Sequence, residues 1–127
     1  GFHPHHLAAT GLRPLLTPEL LTAVRQHTQA IVVEPGIISY ITLLSNATRD
    51  ARELFLGGSP RASVALLQAS KVHAALQGRT FVTPDDIKAM AFPVYRHRII
   101  VKPEALLEGL DADAVMARIL NAIDVPR

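Results

Sequence analysis

Gly57-Gly58-Ser59-Pro60-Arg61-Ala62-Ser63, continued by Val64 to Gln77 and closed by Gly78, marks both ends of one helix and sets the expectation of a helical bundle. Two glycines release the preceding segment. Ser59 is an N-cap type of residue, and Pro60 takes the first helical position, where its missing N–H costs nothing. Gly78 is a natural C-terminal cap. Between these ends, Ala62, Ala65, Ala69 and Ala75 alternate with Val64, Leu66, Leu67, Val72 and Leu76, small and large residues suited to close packing. Arg61 breaks the local rule, because the first turn of a helix is already positive and disfavours a cation. Such an arginine makes sense beside an anion, since helix starts present free N–H groups and guanidinium forks onto phosphate oxygens. The other reading is an arginine that pairs with a nearby carboxylate or points into water, and the local chemistry by itself favours that one.

Working outward, the same hydroxyl–proline pair recurs at Thr17-Pro18 and Thr83-Pro84, and Asp111 with Asp113 marks a fourth start. Helix one is expected over 18–28, with Leu20, Leu21, Val24 and His27 on one face. Helix two is expected over 35–52, with Ile37, Ile38, Ile41, Leu44 and Ala47 or Thr48 in register, and helix three over 60–77. Helix four begins at Pro84, and Pro93 predicts a kink followed by one more turn through Val94, Tyr95 and Arg96. Ile99-Ile100-Val101 reads as extended, 103–109 as a turn or a single helical turn, and 112–123 as helix five. Ile31-Val32-Val33 and Arg79-Thr80-Phe81-Val82 are β-branched pieces able to pair briefly. The expected fold is all-α: a small bundle of about five helices, with room for one short two-stranded pairing. Residues 1–16 read as a linker and 17–127 as the folded domain.

Composition narrows the function classes. The chain has 127 residues, 49% hydrophobic and 19% charged, as a globular domain does. A net charge of +2 without a long basic run argues against nucleic acid as the main partner. With no cysteine there is no disulfide, thiolate metal site or thiol nucleophile. No apolar run reaches the ~18 residues that span a bilayer, so no membrane role and a cytoplasmic domain are expected. The opening Gly1-Phe2-His3-Pro4-His5-His6 reads as a piece of something longer. His3, His5 and His6 are metal-ligand types, but at a chain end they read as a solvated linker, and no metal site is expected. Glycine-rich lysine loops, nucleophile elbows and zinc-protease signatures are lacking. Asp85 and Asp86 read as helix-end stabilisers, and His27 and His73 as half-buried packing residues. Arg49, Asp50, Arg52 and Glu53 read as surface pairs. Arg96-His97-Arg98 is a basic run open to three roles: an interface, a phosphate contact or an ion-paired face.

Three ordered segments carry a resemblance that covers 40–127 and, more loosely, the whole chain. Gly57-Gly58-Ser59-Pro60-Arg61-Ala62 is similar to Gly-Ala-Ser-Pro-Arg-Ala, Gly78 to Ile87 to Gly-Arg-x-x-Val-Thr-Pro-Asp-Asp-Val, and Val94 to Arg98 to Val-Leu-Arg-His-Arg. Together they resemble the C-terminal lid domain of MoxR-type AAA+ ATPases. The resemblance implies that Arg61 is the sensor-2 arginine reaching the γ-phosphate of ATP, with Gly57, Gly58, Ser59 and Pro60 shaping its approach. It reverses the balance of the local reading. Gly58 stands where the family has alanine, a small change expected at most to loosen the loop. The resemblance further implies ATP with magnesium held mainly by a separate core domain, inactivity of this stretch alone, and a chaperone-like, hexameric machine. Its implied partners are that core, neighbouring subunits and a protein with a von Willebrand factor A domain. The segment from Gly78 to Ile87 also resembles the strand-then-helix step of histone folds, so a helical DNA-binding or protein-interaction module stands as the alternative.

Overall fold

The structure, a computed structural model, describes residues 13–125. Six helices are present among them: α1 Pro18–Gln29, α2 Pro35–Asp50, α3 Pro60–Leu76, α4 Pro84–Tyr95, α5 Pro103–Leu107 and α6 Ala112–Ala122. Two short strands, β1 Leu54–Leu56 and β2 Ile100–Val101, pair antiparallel. The all-α bundle is therefore as expected, with one helix more than the five anticipated. The addition is α5, which forms because Lys102 and Glu104 carbonyls accept from Leu106 and Glu108 N–H, and it stops at Gly109, whose φ is +83°. His3, His5 and His6, and most of the expected linker, lie outside the described residues.

Helix starts fall where proline chemistry put them. Thr17, Thr83 and Asp111 each accept a hydrogen bond from the first turn of α1, α4 and α6, satisfying N–H groups that a helix start leaves without partners. Pro93 does not end α4, which runs without a break to Tyr95. Pro93 and Ala89 are both exposed, so the carbonyl freed by the missing N–H can be hydrated, while Val94 and Tyr95 are buried and hold the last turn in place. The expected pairing of 31–33 with 79–82 shrinks to one parallel bridge, Val32 with Phe81, made by Val32 N–H to Thr80 O and Val82 N–H to Val32 O. The true two-stranded sheet instead joins Leu54 to Val101 and Leu56 to Ile100.

α3 is central, packing on α4, α2 and α1, while α6 closes the other side of α2 and α4. Tyr40, Leu44, Leu66, Ile87, Tyr95, Val115 and Met116 form the fully buried centre. The face of α1 with Leu20, Leu21, Val24 and His27 remains largely exposed, and α1 contributes no buried residue.

Asp86 ties three elements together. Its carboxylate, 1% exposed, accepts two bonds from Arg79 at 2.6 Å, and bonds from Thr83 N–H and Thr83 Oγ1 at 2.8 Å; it also lies 2.7 Å from His73 Nδ1. Burial alone would raise its pKa; the bonds from Arg79, the Thr83 backbone, His73 and the Thr83 hydroxyl overcome that and hold it well below the usual carboxylate range. The reading of Asp86 as a helix-end stabiliser holds, and its buried pairing adds to it. It completes a reciprocal capping box with Thr83 and closes α4 onto α3. His73 is likewise a partner of this carboxylate and not only a packing residue.

Candidate functional site

The stretch from Gly57 to Ser63 is held against the C-terminal half of α2. Gly58 N–H donates to Thr48 Oγ1 at 2.9 Å, and Thr48 Oγ1 donates to Ser45 O at 2.7 Å. From the other side Arg49 Nε donates to Gly58 O at 2.8 Å. Both polar atoms of the Gly58 peptide backbone are thus satisfied by α2 side chains.

Both glycines are required by close approach. A Cβ on Gly57 would stand 2.6 Å from Arg49 Cα, backbone against backbone. On Gly58 it would overlap the ring of Tyr95 at Cε1 and press Thr48 Oγ1 at 3.2 Å. The expectation that glycine for alanine at 58 is a slight change that loosens the loop is therefore corrected. The Tyr95 ring occupies the space, and Tyr95 stands where the resembled motif has leucine, so a larger residue at 95 accompanies a smaller one at 58.

Ser59 occupies the N-cap position with extended backbone (φ −75°, ψ 165°), and Pro60 is at the first helical position. The expected side-chain cap is absent: the Ser59 hydroxyl receives no bond from the first turn, and Ser59 contributes its carbonyl, which accepts from Ala62 N–H at 2.8 Å. No acidic residue lies in the first turn of α3. α1, α4 and α6 each have both a side-chain cap and an acid there. α3 instead offers Arg61, exposed, and among the described residues Arg61 makes no ion pair and no side-chain hydrogen bond.

Arg79 and Arg96 are engaged by carboxylates, whereas among the described residues Arg98 bonds only to the neighbouring His97 ring. Arg79 is committed to Asp86. Arg96 makes a two-pronged pair with Asp113 of α6 at 2.8 and 2.6 Å, which raises the pKa of Arg96 and lowers that of Asp113 through their hydrogen bonds. Of the basic run, Arg96 thus takes the ion-paired role within the domain. His97 is exposed and its Nε2 accepts from Arg98 Nε at 3.2 Å. Arg98 lines a groove of about 560 Å³ together with Arg49, Phe55, Leu56, Gly57, Gly58 and Ser59. The structure therefore brings Arg98 to the loop of Gly57, Gly58 and Ser59, and leaves Arg96 out. Ser45, Thr48, Arg49 and Tyr95 escaped sequence reasoning as parts of this site. Thr48 sat in an apolar stripe and Arg49 in a run of surface charges, and no local signal sets either apart.

Among the described residues no helix is long and apolar enough to cross a membrane. Comparison with known proteins finds a match to the AAA lid domain family over residues 46–119, more than half of the chain. Protein YeaC of Bacillus subtilis is 35% identical over 91% of this chain and 36% of its own length. Chaperone MoxR1 of Mycobacterium tuberculosis is 28% identical over 75% of this chain and 28% of its own. The crystal structure of a candidate ATPase from Cytophaga hutchinsonii superposes with a TM-score of 0.80 at 26% identity, covering 86% of this chain and 36% of that one. The chain thus spans about a third of the length of the proteins it matches.

Proposed function

Because this chain belongs to the AAA lid domain family, and within it to the MoxR type, we propose that it closes over ATP held on a separate core domain, and that Arg61 reads the terminal phosphate. One observation supports Arg61 in that role: it is an exposed guanidinium at a helix start that has neither a cap nor an acid, while Arg79 and Arg96 are each paired with a carboxylate. A helix start and a free guanidinium share one preference, a group bearing several negative oxygens. Gly57, Gly58, Ser59 and Pro60 set the base of that arginine by their close contact with α2.

The guanidinium of Arg61 and the free N–H groups of the α3 start suit a phosphate. In this reading magnesium is held mainly by the core domain, as the resemblance implies. When bound, ATP supplies the phosphoryl group. This chain supplies orientation and positive charge, which oppose the charge developing on the transferred oxygens. Loss of the terminal phosphate removes the partner of Arg61 and frees the lid to rotate. In this reading residues 17–127 are the lid, 1–16 connect it to the core, and the whole protein assembles as a ring with a chaperone-like task, aided by a von Willebrand factor A domain partner.

Replacing Arg61 by alanine in the full-length protein is expected to lower ATP turnover by roughly a hundredfold, the usual effect of removing one charge-stabilising donor. Unchanged turnover refutes the role. The 127-residue chain alone is expected not to hydrolyse ATP and to bind it only weakly in calorimetric titration; micromolar affinity contradicts the reading.

A further inference from the structure

We propose that Tyr95, at the end of α4, is a positioning residue for Arg61: its hydroxyl fixes the first turn of α3 through Ser45, and its ring walls the backbone at Gly58. The proposal rests on the reading of Arg61 given above. Tyr95 is fully buried, and its hydroxyl lies 2.7 Å from Ser45 Oγ, which lies 2.6 Å from Ser63 Oγ. Each of these hydroxyls can donate and accept at once, so the three form a continuous chain from α4 through α2 to α3. Bonds in such a buried chain strengthen one another. Ser63 lies two residues beyond Arg61.

On the other side of Arg61, the Tyr95 ring fills the volume that a Cβ at Gly58 would need. The Gly58 N–H and carbonyl are fixed by Thr48 and Arg49. The backbone is therefore gripped three residues before Arg61 and its helix two residues after, and Tyr95 takes part in both grips. Ser59 provides no side-chain cap, so this turn is held laterally by the Ser63 hydroxyl together with the buried Ala62. The opposite end of α4 is anchored by Asp86 to Arg79 and His73. A displacement of α4 against α2 thus moves the base of Arg61.

The test uses the full-length ATPase. Tyr95→Phe keeps the ring against Gly58 and removes only the hydroxyl. Its kcat is expected to fall about fivefold, the factor set by one lost buried hydrogen bond, with KM for ATP nearly unchanged. In the Arg61→Ala background the same change is expected to have no further effect, because both act through one contact. Amide hydrogen exchange over Gly58 to Ser63 should speed up while α6 stays as protected as before. An equal fall in kcat with and without Arg61 overturns the proposal, as does unaltered exchange over that stretch. If Arg61→Ala leaves turnover unchanged, the phosphate-reading role falls by itself. Faster exchange in Tyr95→Phe then still supports the positioning of the turn.

Discussion

Asp85 and Asp86 are adjacent, identical in type and both in the first turn of α4, yet their replacement by alanine should differ severalfold in cost. Asp86→Ala removes the acceptor of two Arg79 bonds and of the Thr83 N–H and hydroxyl, together with the His73 contact, from a site that is 1% exposed. Removing one member of a buried charged pair costs about 3–5 kcal/mol. Arg79 keeps 29% of its side chain in water, which draws the figure toward the lower end, while loss of the reciprocal cap adds about 1 kcal/mol. The expected total is about 4 kcal/mol, a large part of the roughly 5–15 kcal/mol that holds a domain folded. An unfolding entropy of about 2.1 cal/mol/K per residue gives about 0.27 kcal/mol/K for a chain of this length, so Tm should drop by about 15 °C. Asp85 is exposed and contributes mainly through the helix dipole, so Asp85→Ala should shift Tm by no more than about 4 °C. Thermal unfolding of the two variants by circular dichroism at pH 7 decides it. Equal shifts would refute the reasoning, because they would mean that the buried cluster contributes no more than an exposed helix-end charge.

Three further outcomes follow from the same geometry. The Asp86 carboxyl is held below its ordinary pKa, so its contribution is fully present above about pH 4 and is lost as pH falls below that. An acid titration of Tm should accordingly be steeper for the wild-type chain than for Asp86→Ala, and parallel curves would contradict this. Gly58→Ala should cost about 1–3 kcal/mol through overlap with the Tyr95 ring, and less than half as much when Tyr95 is already leucine; an equal cost in both backgrounds, measured by urea unfolding, would rule out the steric coupling. The Tyr40 hydroxyl is buried without a hydrogen-bond partner among the described residues, so Tyr40→Phe should leave Tm unchanged or raise it by up to about 4 °C, whereas a clear drop in calorimetry would show that the hydroxyl is bonded.

What was legible in the sequence was legible because its cause is local. Proline after a hydroxyl residue starts a helix for reasons contained within four residues, and Pro18, Pro60 and Pro84 do open α1, α3 and α4. Gly78, at φ +72°, follows the end of α3 for an equally local reason. The three motifs stand in the chain order that marks the lid family, and that order needs no coordinates. Local rules misled where a second element intervened. Ser59 sits at the cap position without capping. Leu54-Phe55-Leu56 is too short to show a strand period, and its partner lies more than forty residues away.

The sequence by itself determined the helix starts, the all-α class and an arginine of unfavourable sign at the first turn of α3. Tertiary structure alone decided which charges are engaged: Asp86 and not Asp85 is buried, Arg96 is paired with Asp113, and Arg61 is left facing water. It also made a side chain at Gly58 costly through a tyrosine 37 positions further along the chain. The physical reason is the reach of the forces involved. Capping and backbone preference act across a few bonds, whereas burial, ion pairing and steric overlap depend on distances that exist only once α2, α3 and α4 have packed together.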